Sequence, residues 1–375
     1  MVSVRKFIDI GANLTDKVFR GLYRGRQHHE DDFQIVLSRA FNAGIDKIIV
    51  TSGSLSDSED GLALTRTDER LYATAGCHPT RCQEFEPNPE QYLSNLRDLI
   101  LRNRDKIVAV GECGLDYDRE EFCPAAIQRE HFAAQLRLAS EVDLPLFLHC
   151  RAAHDDLVKI LAMAKEMHFN GHRPLRGVVH TFDGTLSDAE RILALGLYLG
   201  LNGCSLKTEE NLQVLKSIPV DRILLETDAP WCEIRPTHAG YKYISTHHPT
   251  RKSDRWDASC MVKGRNEPAN IVQVLEVVAA VKSLPADELA EQIFQNTMKL
   301  FYFPANNPDA MDDEKTARLQ EHEVFVNCQT EVEPNGPFVP MTDACMYSTE
   351  KDGTLFPDDL IHVDPLTLTR RRLEL

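Results

Sequence analysis

The stretch KIVAVGECGLDYD, Lys106–Asp118, begins as a β-strand and ends in a charge. Ile107, Val108, Ala109 and Val110 form an apolar run of the kind covered on both faces. The run delivers a carboxylate, Glu112, between a glycine and a cysteine. A bare buried carboxylate is costly unless something pairs with it. The rest of the chain must therefore supply a partner for Glu112.

Other segments read the same way. Apolar runs rich in Val, Ile and Leu predict strands at Lys6–Asn13, Lys47–Gly53, Tyr72–His78, Ile107–Glu112, Pro145–His149, Gly177–His180, Leu197–Asn202 and Ile223–Asp228. Helical periodicity lies between them, at Ala125–Glu141, Asp156–Met167, Glu209–Ser217 and Asn270–Val281. Eight strands alternating with helices fit a (β/α)8 TIM barrel. An open doubly wound sheet is the rival, but its glycine-rich phosphate loop is missing: the first strand runs into GANLTD. The predicted domains are residues 1–304 as the barrel and 305–375 as an acidic extension, flexible or loosely docked.

Composition sets limits. The chain has 375 residues, 42% apolar and 27% charged, as in a soluble globular enzyme. Its apolar runs are strand-sized, so no membrane partner is expected, and the N-terminus has no apolar signal core. The ten cysteines are scattered, with no CxxC pair. Free packing thiols in the cytoplasm or nucleus are the expectation. The net charge of −16 argues weakly against nucleic acid, but residues 305–375 hold 15 acidic against 6 basic residues and so carry −9 of it.

The strand ends carry the chemistry. The fourth predicted strand ends at Glu112, the fifth at His149, the sixth at His180 and the eighth at Asp228. In a (β/α)8 barrel all such ends converge on one face. Each residue alone has a plainer reading: an ion-paired glutamate, hydrogen-bonded core histidines, a helix cap at Asp228 before Pro230. Four together at one mouth point to a divalent cation that neutralises Glu112, with neutral imidazoles as co-ligands. The set suits Zn²⁺ or Mn²⁺ and tolerates Mg²⁺, as one ion or two with Glu112 bridging. Asp228 then accepts a proton or orients a water. Glu112 and Asp228 are the expected catalytic pair.

The motif series FIDIGANLTD, TAGCHPTRC, AVGECGLDYDR, LFLHCRAAHDD, VVHTFDGT, YLGLNGCSLKT, LLETDAPWC and RNEP resembles the TatD-type deoxyribonucleases, above all their eukaryotic branch. The resemblance covers Phe7 to about Phe303. It implies a metal-dependent hydrolase barrel cutting DNA phosphodiesters, as an exonuclease, an endonuclease or both. Glu112, His149, His180 and Asp228 match the family's metal positions. Many relatives end the first strand with His-x-His, where this chain has Gly11 and Asn13. Loss of two imidazoles makes Mg²⁺ the favoured ion, with Asp9 or Asn13 supplying an oxygen; strand alternation places both on one face. His78 and Arg151 are further candidates for substrate contact.

DNA needs a cationic path to an acidic site. Between Lys242 and Arg265 the basic residues outnumber Asp254 and Asp257. Arg251, Lys252, Arg255 and Arg265 are the expected phosphate contacts, and Tyr241, Tyr243 and Trp256 are candidates to stack bases. Two alternatives stand beside the nuclease: a hydrolase of a small amide, lactone or phosphotriester, and a non-catalytic barrel scaffold.

Overall fold

The structure, a computed structural model, describes residues 5–301 and 303. The expected acidic extension, 305–375, lies outside the described residues. Eight strands form one parallel sheet: β1 (Phe7–Ala12), β2 (Ile45–Val50), β3 (Leu71–Ala75), β4 (Ile107–Asp116), β5 (Leu146–Arg151), β6 (Gly177–Val179), β7 (Tyr198–Leu201) and β8 (Ile223–Leu225). They pair in chain order, each with the next. The seam between the last and the first is drawn together by two backbone bonds: Asp228 N–H donates to Gly11 O at 2.8 Å, and Asn13 N–H to Ala229 O at 2.7 Å. This is the (β/α)8 barrel expected from the alternating pattern.

Helices flank the sheet at α1 (Phe33–Asn42), α2 (Leu55–Thr65), α3 (Pro89–Arg102), α4 (Ala125–Val142), α5 (His154–His168), α6 (Leu186–Ala194), α7 (Glu209–Ser217), α8 (Ile271–Lys282) and α9 (Ala286–Leu300). Their starts are written locally. Thr185 and Thr208 each close a capping box with the residue three positions on, Asp188 and Asn211, which satisfies free amides of the first turn. Among the described residues no single helix is long and apolar enough to cross a membrane.

Two apolar layers form the core. Inside the ring, Ile10, Ile49, Val108, Phe147, Val178 and Leu224 fill the barrel. Leu300, Phe301 and Phe303 pack into the same interior cluster. Between sheet and helices lies a second layer that includes Val36, Leu96, Phe132 and Leu275. The filled interior leaves the mouth, where the strands end, as the place for polar chemistry.

Strand β4 departs from the expected pattern. It runs four residues past Glu112, to Asp116. Its pairing with β5 shifts register between Gly111 and Cys113, so Glu112 is the extra residue of a bulge. Glycine permits this: a Cβ on Gly114 (φ +145) would lie 2.0 Å from His149 O. The Glu112 amide donates instead to Ser52 O, at 2.8 Å. The bulge re-aims Glu112 toward the mouth.

Candidate metal centre

Three predicted side chains meet at the mouth. His149 Nδ1 and His180 Nε2 each lie 2.8 Å from Glu112 Oε1, and 3.3 Å from one another. His78 joins them, with Nε2 3.4 Å from the same oxygen. Ligand atoms of His78, Glu112 and His149 lie within 4.8 Å of one another. Burial alone would raise the Glu112 carboxyl, but the charge of His180 and the bonds from His149 and His180 hold it well below the usual range.

Each imidazole has a second anchor. His149 Nε2 lies 3.2 Å from Asp116 Oδ2, and His180 Nδ1 lies 3.0 Å from Thr181 Oγ1 and 3.5 Å from Glu226 Oε2. Burial opposes charge on both rings, yet Asp116 and Glu112 raise His149, and Glu112 and Glu226 raise His180 further. Carboxylate–histidine pairs of this kind fix ring orientation in metal sites. His78 differs. Its Nδ1 accepts from the Thr80 amide at 3.2 Å, which leaves the proton on Nε2, facing Glu112. Burial pushes its pKa down to about 3, so the ring is neutral.

Glu226 is wholly buried. Its Oε1 accepts from Thr181 N–H at 2.5 Å and Asn202 Nδ2 at 3.1 Å, while Oε2 has no hydrogen bond. A Cβ at Gly11 would lie 2.8 Å from that Oε2 and 2.9 Å from Phe147 Cζ. The missing side chain at Gly11 is what admits Glu226 to the mouth.

Asp228 stands at the barrel seam with partners of its own. Asn13 Nδ2 donates to Oδ1 at 2.8 Å, and the Cys232 thiol donates to Oδ2 at 3.2 Å. Burial raises its carboxyl to about 6, against the pull of the His180 charge. Its backbone is left-handed, φ +52. Asn13 thus orients Asp228.

Asp9 stands apart. Ile8 and Ile10 pack into the barrel interior, and the β1–β2 register shifts between Asp9 and Ala12, so alternation does not carry Asp9 and Asn13 to one face. Asp9 Oδ1 accepts from the amides of Thr227 and Gly11 at 3.0 and 3.2 Å, and Oδ2 from the Thr227 hydroxyl at 2.5 Å. Both oxygens are committed away from the Glu112 cluster.

The basic loop also sorts itself. Arg251, Lys252 and Arg255 are exposed, with Arg251 3.8 Å from Asp257. Arg265 does not belong with them. It is 3% exposed, and its guanidinium donates to Asp32 at 2.8 and 2.6 Å and to Glu267 at 2.9 Å. A buried fork already holding two carboxylates has no surface to offer a phosphate. Trp256 is likewise engaged, stacked on His29 at 5.4 Å and donating to Asp32 at 3.1 Å. Trp231, three residues past Asp228, is 56% exposed. Arg151 is half-buried, and among the described residues its side chain makes no hydrogen bond or ion pair, although its charge acts on Asp116.

Asp116, Thr181 and Asn202 were not singled out from the sequence. Asp116 carried a signal, four residues after Glu112 in the opening stretch and so on its side of the strand by alternation. Asn202 carried one as well, as the end of the seventh predicted strand, whereas Thr181 carried none.

The TatD related DNase family matches residues 8–302. "Deoxyribonuclease Tat-D" of Schizosaccharomyces pombe is 45% identical over 302 residues, 79% of this chain and 95% of its own. "3'-5' ssDNA/RNA exonuclease TatD" of Erwinia tasmaniensis is 33% identical, over 78% of this chain and 98% of its own. The crystal structure of a hydrolase TatD family protein from Entamoeba histolytica superposes with a TM-score of 0.75 at 36% identity, over 80% of this chain and 99% of that one. A match across nearly the whole barrel, in sequence and in fold, means that the chain belongs to the TatD-related DNase family.

Proposed function

We infer that the chain is a divalent-metal-dependent deoxyribonuclease that works from the 3' end of single-stranded DNA. The convergence of His149 and His180 on one oxygen of Glu112 carries the reading. The names of the fungal and bacterial relatives support the substrate, and the bacterial name alone supports the polarity.

The donor set fits a divalent ion: a low-pKa carboxylate oxygen with the nitrogens of His149 and His180 beside it, the first ring backed by Asp116 and the second by Thr181 with Glu226 3.5 Å away. Glu112, His149 and His180 would hold it, with Asp228 as the further ligand. Two imidazoles beside two carboxylates suit Zn²⁺ or Mn²⁺ and still admit Mg²⁺. When bound, the cation acidifies water and offsets the charge that builds on the phosphate.

The chain's own residues do the rest. Asp228, held on Oδ1 by Asn13, takes the proton of the attacking water. His78 presents an Nε2 proton to a phosphate oxygen, and Arg151 offers its uncommitted guanidinium to the same group. Arg251, Lys252 and Arg255 draw in the backbone, and the open face of Trp231 receives an unpaired base.

The test is product analysis over time on end-labelled single-stranded DNA, with Zn²⁺, Mn²⁺ or Mg²⁺ added to metal-stripped protein. Stepwise shortening from the 3' end is expected. Internal fragments as first products would reverse the polarity reading. Hydrolysis of small esters or amides only would reverse the substrate.

A further inference from the structure

Cys204 and Cys232 come from two different loops at the mouth. Cys204 lies in the turn after β7, Gly203–Leu206, and Cys232 in the loop after β8. Their Sγ atoms are 2.8 Å apart, less than an ångström beyond a disulfide's ~2.05 Å. The loops touch at the backbone as well: a Cβ on Gly203 would lie 2.1 Å from Cys232 O. Both thiols are half-buried, whereas the other six described cysteines are buried. The Cys232 thiol is also the group that donates to Asp228 Oδ2.

We propose that Cys204 and Cys232 form a reversible disulfide, a redox-modification site at the edge of the metal centre, and that closing it impairs Asp228. The second half rests on the role given to Asp228 above. The oxidant is a low-molecular-weight disulfide of the glutathione type. The Cys204 thiolate attacks one of its sulfurs, expels one small thiolate and leaves a mixed disulfide on Cys204. Cys232 then gives up its proton and attacks the Cys204 sulfur, expelling the second small thiolate. The protein loses two protons and two electrons, and the small disulfide takes them up to become two thiols. Cys204 is suited to attack first, because the Cys232 proton is engaged on Asp228 Oδ2 and the Cys204 sulfur is not. Once bridged, Cys232 has no hydrogen to give Asp228, and Asn13 is left as its side-chain donor.

The full chain is incubated with oxidised glutathione, alkylated, digested without reductant and mapped by mass spectrometry. A peptide containing Cys204 joined to one containing Cys232 is expected, released by dithiothreitol. Nuclease activity should fall about tenfold, the scale of one hydrogen bond to a charged group, and return on reduction. Cys204→Ala should keep its activity through the oxidant. Absence of the joined peptides, or a glutathione adduct on Cys204 alone, overturns the site. Joined peptides with unchanged activity, or a Cys204→Ala protein inhibited like wild type, overturn the link to Asp228. If the reduced wild type cuts no DNA, the nuclease reading fails, while the peptide map still decides the disulfide.

Discussion

Asp116 Oδ2 lies 3.2 Å from His149 Nε2, on the side of the ring turned away from Glu112. This contact fixes which nitrogen of His149 faces the cluster. Asp116 is wholly buried, so no solvent replaces it. Asp116→Asn keeps the volume and removes the charge. Divalent-ion affinity should fall about 10- to 100-fold, read by calorimetry on metal-stripped protein. Unchanged affinity would mean that His149 needs no such support.

Glu112 and Asp228 are separable. Glu112 accepts from two imidazoles, whereas Asp228 is held by Asn13 and Cys232. Glu112→Gln should abolish both ion binding and cleavage. Asp228→Asn should retain measurable ion binding while turnover drops by about 10²- to 10⁴-fold, the range of a general base. Equal loss of ion binding in both variants would make Asp228 a principal ligand instead.

The barrel was legible because its strands are covered on both faces and read as continuous apolar runs. Glu209–Ser217 matches the helix expected there, and Ala125–Val142 runs one residue longer. What the sequence hid was pairing at a distance. Arg265 sits in a basic stretch and reads as a surface cation, but its partner Asp32 is 233 positions away. Asp9 departs from its expected place for a different reason: strict alternation does not hold through a strand whose register breaks. His78 was visible as a strand-end histidine, yet its tautomer depends on the Thr80 amide two residues on.

Arg265 therefore makes a stability prediction rather than a binding one. Its removal leaves Asp32 and Glu267 buried with less compensation, although Arg39 still holds Glu267 at 2.7 and 2.9 Å. Arg265→Ala should destabilise the fold by about 3–5 kcal/mol in urea titrations. A loss of DNA affinity at wild-type stability would return Arg265 to the interface.

The exposed cations make the binding prediction. Replacing Arg251, Lys252 and Arg255 together with glutamine removes charge from a loop whose packing depends on other residues. Affinity for single-stranded DNA should fall, and the slope of log K against log salt should flatten by up to about 2. An unchanged slope would place the DNA path elsewhere on the mouth.

Asp9 gives stability a pH dependence of its own. Burial raises its carboxyl to about 8, against the bonds from Thr227 and Gly11, while in the unfolded chain it titrates near ~3.9. The folded state thus binds a proton that the unfolded state has released. That contribution is complete below about pH 4 and is lost as pH rises through about 8. Asp9→Asn removes the titration while its amide oxygen still accepts from the Thr227 and Gly11 amides. Between pH 5 and pH 7, wild type should lose roughly 2–3 kcal/mol relative to Asp9→Asn in urea titrations. A constant difference across that window would mean that Asp9 is already ionised in the fold at pH 5.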